Sequence, residues 1–189
     1  MNALLSVLMV ITMGTCLFNF DEELPENYDQ PDTAVSSIEI TPTPIPFEDM
    51  TLEQRAESVE LTTQEFIAIS NITERESNRC IPETEEDLQG RIFIALVVFN
   101  RASEEHPEFG DDIISVITQR GQFSTYRSSR DVNESTYRTE YSDRAVYEAY
   151  QWIHSGEEYP DVLFFTCRYW FSWRPRYGDS AIGGNYFSL

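Results

Sequence analysis

The sequence contains no lysine, so its 13 basic residues are all arginines, and it has only two histidines. The 33 aspartates and glutamates outnumber the arginines and give a net charge of -20. A chain this acidic repels the phosphate backbone of nucleic acids and gains nothing from an anionic membrane surface. The charge balance therefore excludes nucleic acid as a partner.

Motifs for cofactors, metals and activated nucleophiles are also missing. The sequence has no P-loop, no dinucleotide-binding glycine pattern, no HExxH and no GxSxG. His106 and His154 are far apart and belong to no ligand-spaced cluster. We therefore predict that the protein uses no metal and no cofactor, and that its chemistry rests on carboxyl groups.

The three cysteines, Cys16, Cys80 and Cys167, show no CxxC spacing, which disfavours a structural zinc site. Cys16 lies in an apolar N-terminal run, so only the other two fall in the part expected to fold. Cys80 and Cys167 are compatible with a disulfide in an oxidising compartment and equally with two separate buried thiols.

The first 60 residues are expected to export and tether the protein. Residues 1–20 hold a nearly continuous apolar run, borderline in length between a signal peptide and a membrane anchor. A weak lipoprotein signal at Cys16 is a third alternative. Residues 21–60 are acidic and rich in proline, which predicts an extended linker. We expect an extracytoplasmic location, at the cell wall or the outer face of the membrane.

Residues 61–189 carry the apolar periodicity of a folded domain. Four helices are predicted, from a Thr62–Glu65 capping box to residues 74–77, from Thr84 to 101, from 111 to 117, and from a Ser142 cap to about Gly156. The second is apolar nearly all round, so we expect it to be the buried central helix. A polar loop over a groove is predicted at 124–141, and strands at 162–165 and 186–187. The predicted fold class is mainly α with a small late β element (α+β).

Five segments of this domain follow one another in an informative order. They are ITERES at 72–77, GRIFIALVVFNR at 90–101, GQFS at 121–124, LFF at 163–165 and IGGNYF at 182–187. Together they resemble the SleB/CwlJ cell wall hydrolase family, whose fold is lysozyme-like and related to lytic transglycosylases. Members of that family act on peptidoglycan, notably during spore germination. The resemblance implies the same fold and a peptidoglycan substrate here.

The same resemblance assigns the family's catalytic glutamate to Glu74, at the end of the first predicted helix, with Glu76 as a competing position. This chain departs from the family pattern in two ways. The stretch 78–89 is longer and more acidic, and Asn185 stands where the family has a terminal histidine.

A single catalytic glutamate predicts the reaction of a lytic transglycosylase, which cleaves the bond between MurNAc and GlcNAc. To act as the acid, Glu74 must hold a proton, which burial beside apolar groups favours. Two alternatives stay open. A hydrolytic N-acetylmuramidase needs a second carboxylate, such as Glu76 or an acid from the 124–141 loop. A non-catalytic wall-binding or assembly protein of the same fold needs no acid at all.

The candidate substrate-binding residues are polar or aromatic side chains: Gln122, Phe123, Tyr126, Tyr169 and Trp173. An amide can hydrogen-bond to a sugar, and aromatic rings can pack against its apolar face. The structural alternative is a turn with Phe123 in the core and the other rings packed in the interior. Asn100 and Arg101 are expected to hold the end of the central helix against neighbouring loops.

Overall fold

The computed structural model describes residues 44–77, 84–103, 106–167 and 176–189. These residues belong to one compact unit, Thr43–Leu189. Its elements are a 3-10 helix (Phe47–Asp49), six α-helices, namely α1 (Leu52–Glu57), α2 (Thr63–Glu76), α3 (Glu85–Arg101), α4 (Ile113–Thr118), α5 (Arg130–Asn133) and α6 (Glu140–His154), and three strands, β1 (Phe164–Thr166), β2 (Arg176–Ile182) and β3 (Asn185–Ser188). The prediction of a mainly helical domain with a small late sheet is confirmed.

Helix α3 lies at the centre of the domain, as its sequence predicts. Its residues from 92 to 98 are all buried, and it packs against α2, α4, α6 and two strands. A helix that is apolar on every side is stable only when other elements cover every side. Thr84 caps its N-terminus by accepting a hydrogen bond from the Asp87 backbone N–H.

Helix α2 begins with the predicted capping box. The Thr62 side chain accepts from the Glu65 backbone, and the Glu65 carboxylate accepts from the Thr62 backbone N–H at 2.9 Å. The helix is buried from Phe66 to Glu74. Its last turn therefore carries polar side chains into the interior of the domain.

The start of α6 differs from the prediction, because Thr139 and not Ser142 is its N-cap. The two residues form a reciprocal capping box in which Ser142 occupies the third helical position. Ser142 thus takes the place that glutamate or glutamine usually fills in this motif. At the other end Gly156 adopts φ 78°, as expected of a residue that follows a helix C-terminus.

The boundary of the expected linker at residue 60 is corrected by α1. A capping box of Thr51 and Gln54 starts this helix, and Ala56 and Val59 are buried in the hydrophobic core. The Arg55 guanidinium also donates to the buried Asp143 carboxylate of α6 at 2.8 Å. Residues 44–60 are therefore part of the folded domain. Residues 1–43 lie outside the described part of the chain.

The polar segment expected to be a loop at 124–141 contains helix α5 and the first residues of α6. The segment between β1 and β3 contains strand β2, which the sequence did not predict. The sheet is antiparallel in the order β1-β3-β2, with Phe165 opposite Phe187 and Tyr177 opposite the same residue. Local periodicity misses β2 because its polar residues become a strand only through pairing with β3.

The β2–β3 turn lies directly against α3 at two glycines. A Cβ atom on Gly90 would stand 2.6 Å from the Gly183 Cα atom, which is closer than real contacts allow. Gly183 also has φ 55°, a conformation that glycine adopts without strain. Two glycines therefore permit the sheet to touch the helix backbone. Among the described residues, no helix is long and apolar enough to cross a membrane.

Candidate active site

Glu74 lies in the last turn of α2 and is only 8% exposed. The Arg91 guanidinium of α3 holds its carboxyl group at two points, with Nε donating to Oε2 at 3.1 Å and Nη2 donating to Oε1 at 3.2 Å. The Thr139 hydroxyl donates to Oε2 at 2.8 Å. The side chain is fixed by donors from two other parts of the fold, and it does not extend into bulk water.

Arg91 binds a second carboxylate, that of Asp87, one turn earlier on α3. Asp87 and Arg91 are 2% and 4% exposed, so the three side chains form a buried cluster. Two carboxylates and one guanidinium carry a net charge of -1 when all are ionised. An excess charge inside a protein is costly, and hydrogen bonds to the carboxyl groups offset part of that cost.

The N-terminus of α6 lies beside the same carboxyl group. The Thr139 hydroxyl accepts from the Ser142 backbone N–H at 3.1 Å while it donates to Glu74. Helix α6 is 15 residues long, and a helix N-terminus carries partial positive charge that favours a nearby anion. The cap of one helix therefore also contacts the last turn of another.

Glu76 contacts the loop that contains GQFS. Its carboxylate accepts from the Thr125 backbone N–H and the Thr125 hydroxyl, each at 2.8 Å, and from the Ser124 hydroxyl at 3.3 Å. Each of these groups donates its hydrogen to a carboxyl oxygen of Glu76. Glu76 thus fastens this loop to the end of α2.

Asn71, one turn before Glu74, is fully buried and binds both α5 and the segment after it. Its amide donates to the Asp131 and Glu134 carbonyl oxygens at 2.9 and 2.7 Å, and its oxygen accepts from the Tyr137 N–H at 3.1 Å. Both the nitrogen and the oxygen of this buried amide are therefore hydrogen-bonded to backbone groups. The segment that precedes Thr139 is therefore anchored to α2.

The Asp131 carboxylate completes this anchoring. Burial by itself raises the pKa of Asp131, but hydrogen bonds from the Arg127 and Ser128 backbone N–H groups and the charge of Arg75 outweigh burial and lower it. A lowered pKa means that Asp131 stabilises the fold above its ordinary pKa of 3.8 and loses that contribution as the pH falls through the lowered value.

The residues predicted to bind sugar lie in different environments. Phe123 is 4% exposed and packs in the core with Phe165, at 6.3 Å between ring centroids, so the structural alternative holds for it. Gln122 is half-buried and donates from its amide to the Gln119 side chain at 2.8 Å. Tyr126 is half-buried and packs against the core. Tyr169 and Trp173 lie outside the described residues.

The expected role of Asn100 and Arg101 is confirmed. The Asn100 amide donates to the Pro160 and Val162 carbonyl oxygens at 3.2 and 3.0 Å. Arg101 donates to the Leu163 carbonyl oxygen at 2.8 Å. Both residues hold the chain that leads into β1 against the end of α3.

Asn185, which replaces the family's terminal histidine, is 3% exposed at the start of β3. Its side-chain nitrogen has no hydrogen-bond partner among the described residues. Cys167 is an exposed free cysteine. Cys80, the other cysteine of the candidate Cys80–Cys167 disulfide, falls outside the described ranges.

Two cavities of about 660 and 710 Å³ are formed by described residues, and Glu74 lines neither of them. The smaller one includes Tyr141, whose ring centroid lies 6.0 Å from the Arg91 guanidinium carbon. It also includes Thr84 and Glu140, which precede Asp87 and follow Thr139 in the sequence. This cavity therefore adjoins the buried cluster through Tyr141.

Sequence reasoning proposed Glu74 as a site residue but did not name the three side chains that the structure places around it, Asp87, Arg91 and Thr139. Asp87 and Arg91 are four residues apart in α3, a spacing that allows an ion pair on one face of the helix. Thr139 gave no comparable signal, because its contact with Glu74 depends on how α6 packs against α2.

A family model described as Cell Wall Hydrolase matches residues 85–187, which is more than half of the chain. The matched range runs from the first residue of α3 into β3, and Glu74, in the last turn of α2, lies just before it. No curated protein and no solved structure matches the chain.

Proposed function

The chain belongs to the cell wall hydrolase family, and from this we propose that it cleaves the glycan strands of peptidoglycan as a lytic transglycosylase, with Glu74 as its acid. We further propose that it acts outside the cytoplasm, where this polymer lies, after export directed by its apolar N-terminal residues. Peptidoglycan is the only substrate or partner that we propose.

The observation that carries the assignment to Glu74 is the set of groups around its carboxyl. Arg91 and Thr139 donate to it at 2.8 to 3.2 Å, and α6 begins beside it. An acid that gives up its proton becomes a carboxylate, and preplaced donors stabilise that charge without having to reorganise during the reaction.

The proposed reaction needs one carboxyl group. The Glu74 carboxyl gives its proton to the glycosidic oxygen while the bond from the MurNAc anomeric carbon to that oxygen breaks. The 6-hydroxyl oxygen of the same MurNAc then bonds to the anomeric carbon, and its proton passes to the Glu74 carboxylate. The products are a free GlcNAc hydroxyl and a 1,6-anhydro-MurNAc end, with no water consumed.

The position of Glu76 favours this route over hydrolysis. Residues two apart in a helix point to different sides, so Glu76 does not face the Glu74 carboxyl. Its carboxylate is also occupied by Ser124 and Thr125. Asp87, the other carboxylate near Glu74, is 2% exposed and lies on the far side of Arg91. Neither is suited to activate a water molecule across the scissile bond.

We expect Glu74→Gln to reduce cleavage of purified peptidoglycan by the full chain at least about a hundredfold, because glutamine cannot donate a proton of suitable acidity. Glu57→Gln, at the exposed end of α1, is the matched control and should retain full activity. The measurement is release of soluble muropeptides, followed by their masses. Undiminished release by Glu74→Gln would overturn the assignment.

Product masses decide between the candidate reactions. Anhydro-muropeptide ends are expected from transglycosylation, whereas reducing MurNAc ends would mean hydrolysis. Binding of the wild-type chain to peptidoglycan without any release would instead favour the non-catalytic wall protein, a reading that the altered residue Asn185 makes worth testing.

A further inference from the structure

We infer that Asp87 and Arg91 act as a pair of positioning residues that sets the pH range over which Glu74 keeps its proton. The inference rests on the proposed function, in which Glu74 is the acid. Neither residue needs to touch the substrate. Their effect passes through one guanidinium that two carboxyl groups share.

The geometry gives the two carboxyl groups unequal access to Arg91. Asp87 binds Nη1 in a close ion pair within one helix, while Glu74 binds Nε and Nη2 at 3.1 and 3.2 Å from another helix. The Glu74 side chain is also the more exposed, at 11% against 2% for Asp87. In the proposed function Glu74 carries the proton, and of the two carboxyl groups it has the longer contacts with Arg91 and the more exposed position.

Arg91 and Asp87 act on this proton in opposite directions. The guanidinium favours the Glu74 carboxylate, and so do Thr139 and the N-terminus of α6. Asp87 cancels the charge of Arg91 and thereby favours the protonated acid. Glu74 is thus oriented by an arginine whose charge has already been neutralised by a second carboxylate.

The other charged side chains that form defined pairs on the surrounding elements have partners other than Glu74. The defined pairings on α1, α2, α5, α6 and the segments next to them are Glu65 with Thr62, Arg75 with Asp131, Glu76 with Thr125, Arg130 with Glu134, Arg55 and Arg138 with Asp143, Arg55 also with Glu140, and Arg144 with Glu148. From α6, the Tyr141 ring faces Arg91. Among the described contacts, Arg91 is the charged group that binds Glu74, and Asp87 binds the same guanidinium.

The experiment is the pH dependence of peptidoglycan cleavage by the full chain. The alkaline limit of such a profile marks the loss of the acid's proton. We expect Asp87→Asn to move this limit down by about one pH unit, because Arg91 then favours the Glu74 carboxylate unopposed. Arg91→Gln should move it up by about one unit or more, because two carboxyl groups then share no cation.

Arg91→Lys is the matched control, since it keeps the charge and loses the paired contacts. Its alkaline limit should stay within about half a unit of wild type while its rate falls, because orientation is lost and charge is kept. Thermal unfolding of each variant verifies that it is folded. If Arg91→Gln does not fold, Asp87→Asn and Arg91→Lys still give the two expected results, one shifted and one unshifted.

The inference is overturned if the alkaline limits of Asp87→Asn and Arg91→Gln do not move, or if they move in the same direction. The pair would then have a purely structural role. Failure of the proposed function looks different, because Glu74→Gln would then cleave peptidoglycan as wild type does. If Glu74→Gln is inactive but the alkaline limit of Asp87→Asn does not move, only the inference about the pair is contradicted.

Discussion

The two ends of α3 each bury one arginine, and the two arginines have different surroundings. Near the N-terminus, Arg91 lies between the carboxyl groups of Asp87 and Glu74. At the C-terminus, Arg101 donates to the carbonyl oxygens of Leu163 and Gln122 at 2.8 and 3.3 Å.

The aromatic contacts widen this difference. The Arg101 guanidinium carbon lies 5.1 to 5.4 Å from the ring centroids of Phe109, Phe123 and Phe164. Backbone carbonyls and ring faces attract a cation but do not bind protons near neutral pH. Carboxyl groups can bind protons, with ordinary pKa values of about 4. The comparison teaches that Arg91 is held by groups that can titrate, whereas the groups that hold Arg101 cannot.

The largest effect is expected for Arg91→Gln at pH 7, a loss of about 3–5 kcal/mol in the free energy of unfolding, because two buried carboxyl groups lose the cation that they share. In this variant the folded state binds protons more tightly than the unfolded chain. Its stability should therefore rise, relative to wild type, as the pH is lowered from 7 toward 5. Urea unfolding at both pH values measures the change, and an equal loss at both would contradict it.

A smaller loss, about 3 kcal/mol, is expected for Arg101→Gln, because two hydrogen bonds from a charged donor to buried carbonyl oxygens are removed. The loss should be the same at pH 5 and pH 7, since the carbonyls of Leu163 and Gln122 do not titrate. The same urea series serves as the measurement. A loss that shrinks at pH 5, as in Arg91→Gln, would erase the contrast between the two ends of the helix.

The smallest of the three effects is expected for Gly90→Ala, beside Arg91. In most helices this change stabilises by up to about 1 kcal/mol. Here the new methyl group meets the Gly183 backbone at 2.6 Å, so we expect a loss of about 1–3 kcal/mol. Gln89→Ala, at the exposed neighbouring position, should be near neutral in the same thermal unfolding measurement. A Gly90→Ala variant more stable than wild type would mean that the β2–β3 turn moves away from α3 at little cost in free energy.

Much of the helical framework could be predicted, because its signals are local. The capping box at Thr62 and the cap at Thr84 mark the starts of α2 and α3 in the sequence, and their apolar spacing gives their buried faces. Helix α1 was missed although Leu52, Ala56 and Val59 have helical spacing. The prolines and acids before it dominated the composition and extended the predicted linker too far.

The site was predictable only in part, for a physical reason. Glu74 could be proposed because the ITERES segment resembles a family motif, but its partners come from α3 and from the cap of α6. Contacts between helices depend on packing angle and register, which no local pattern records. The same reason hides strand β2, since its hydrogen bonds exist only with β3.

The single hydroxyl group of Thr139 has two structural roles. The oxygen that closes the first turn of α6 is the same oxygen that reaches Glu74 from outside α2. A substitution at this position changes both the stability of α6 and the surroundings of the Glu74 carboxyl group. The two properties therefore cannot vary independently. Among natural variants we would look for serine as the tolerated replacement, because it alone keeps both bonds with a side chain of similar size.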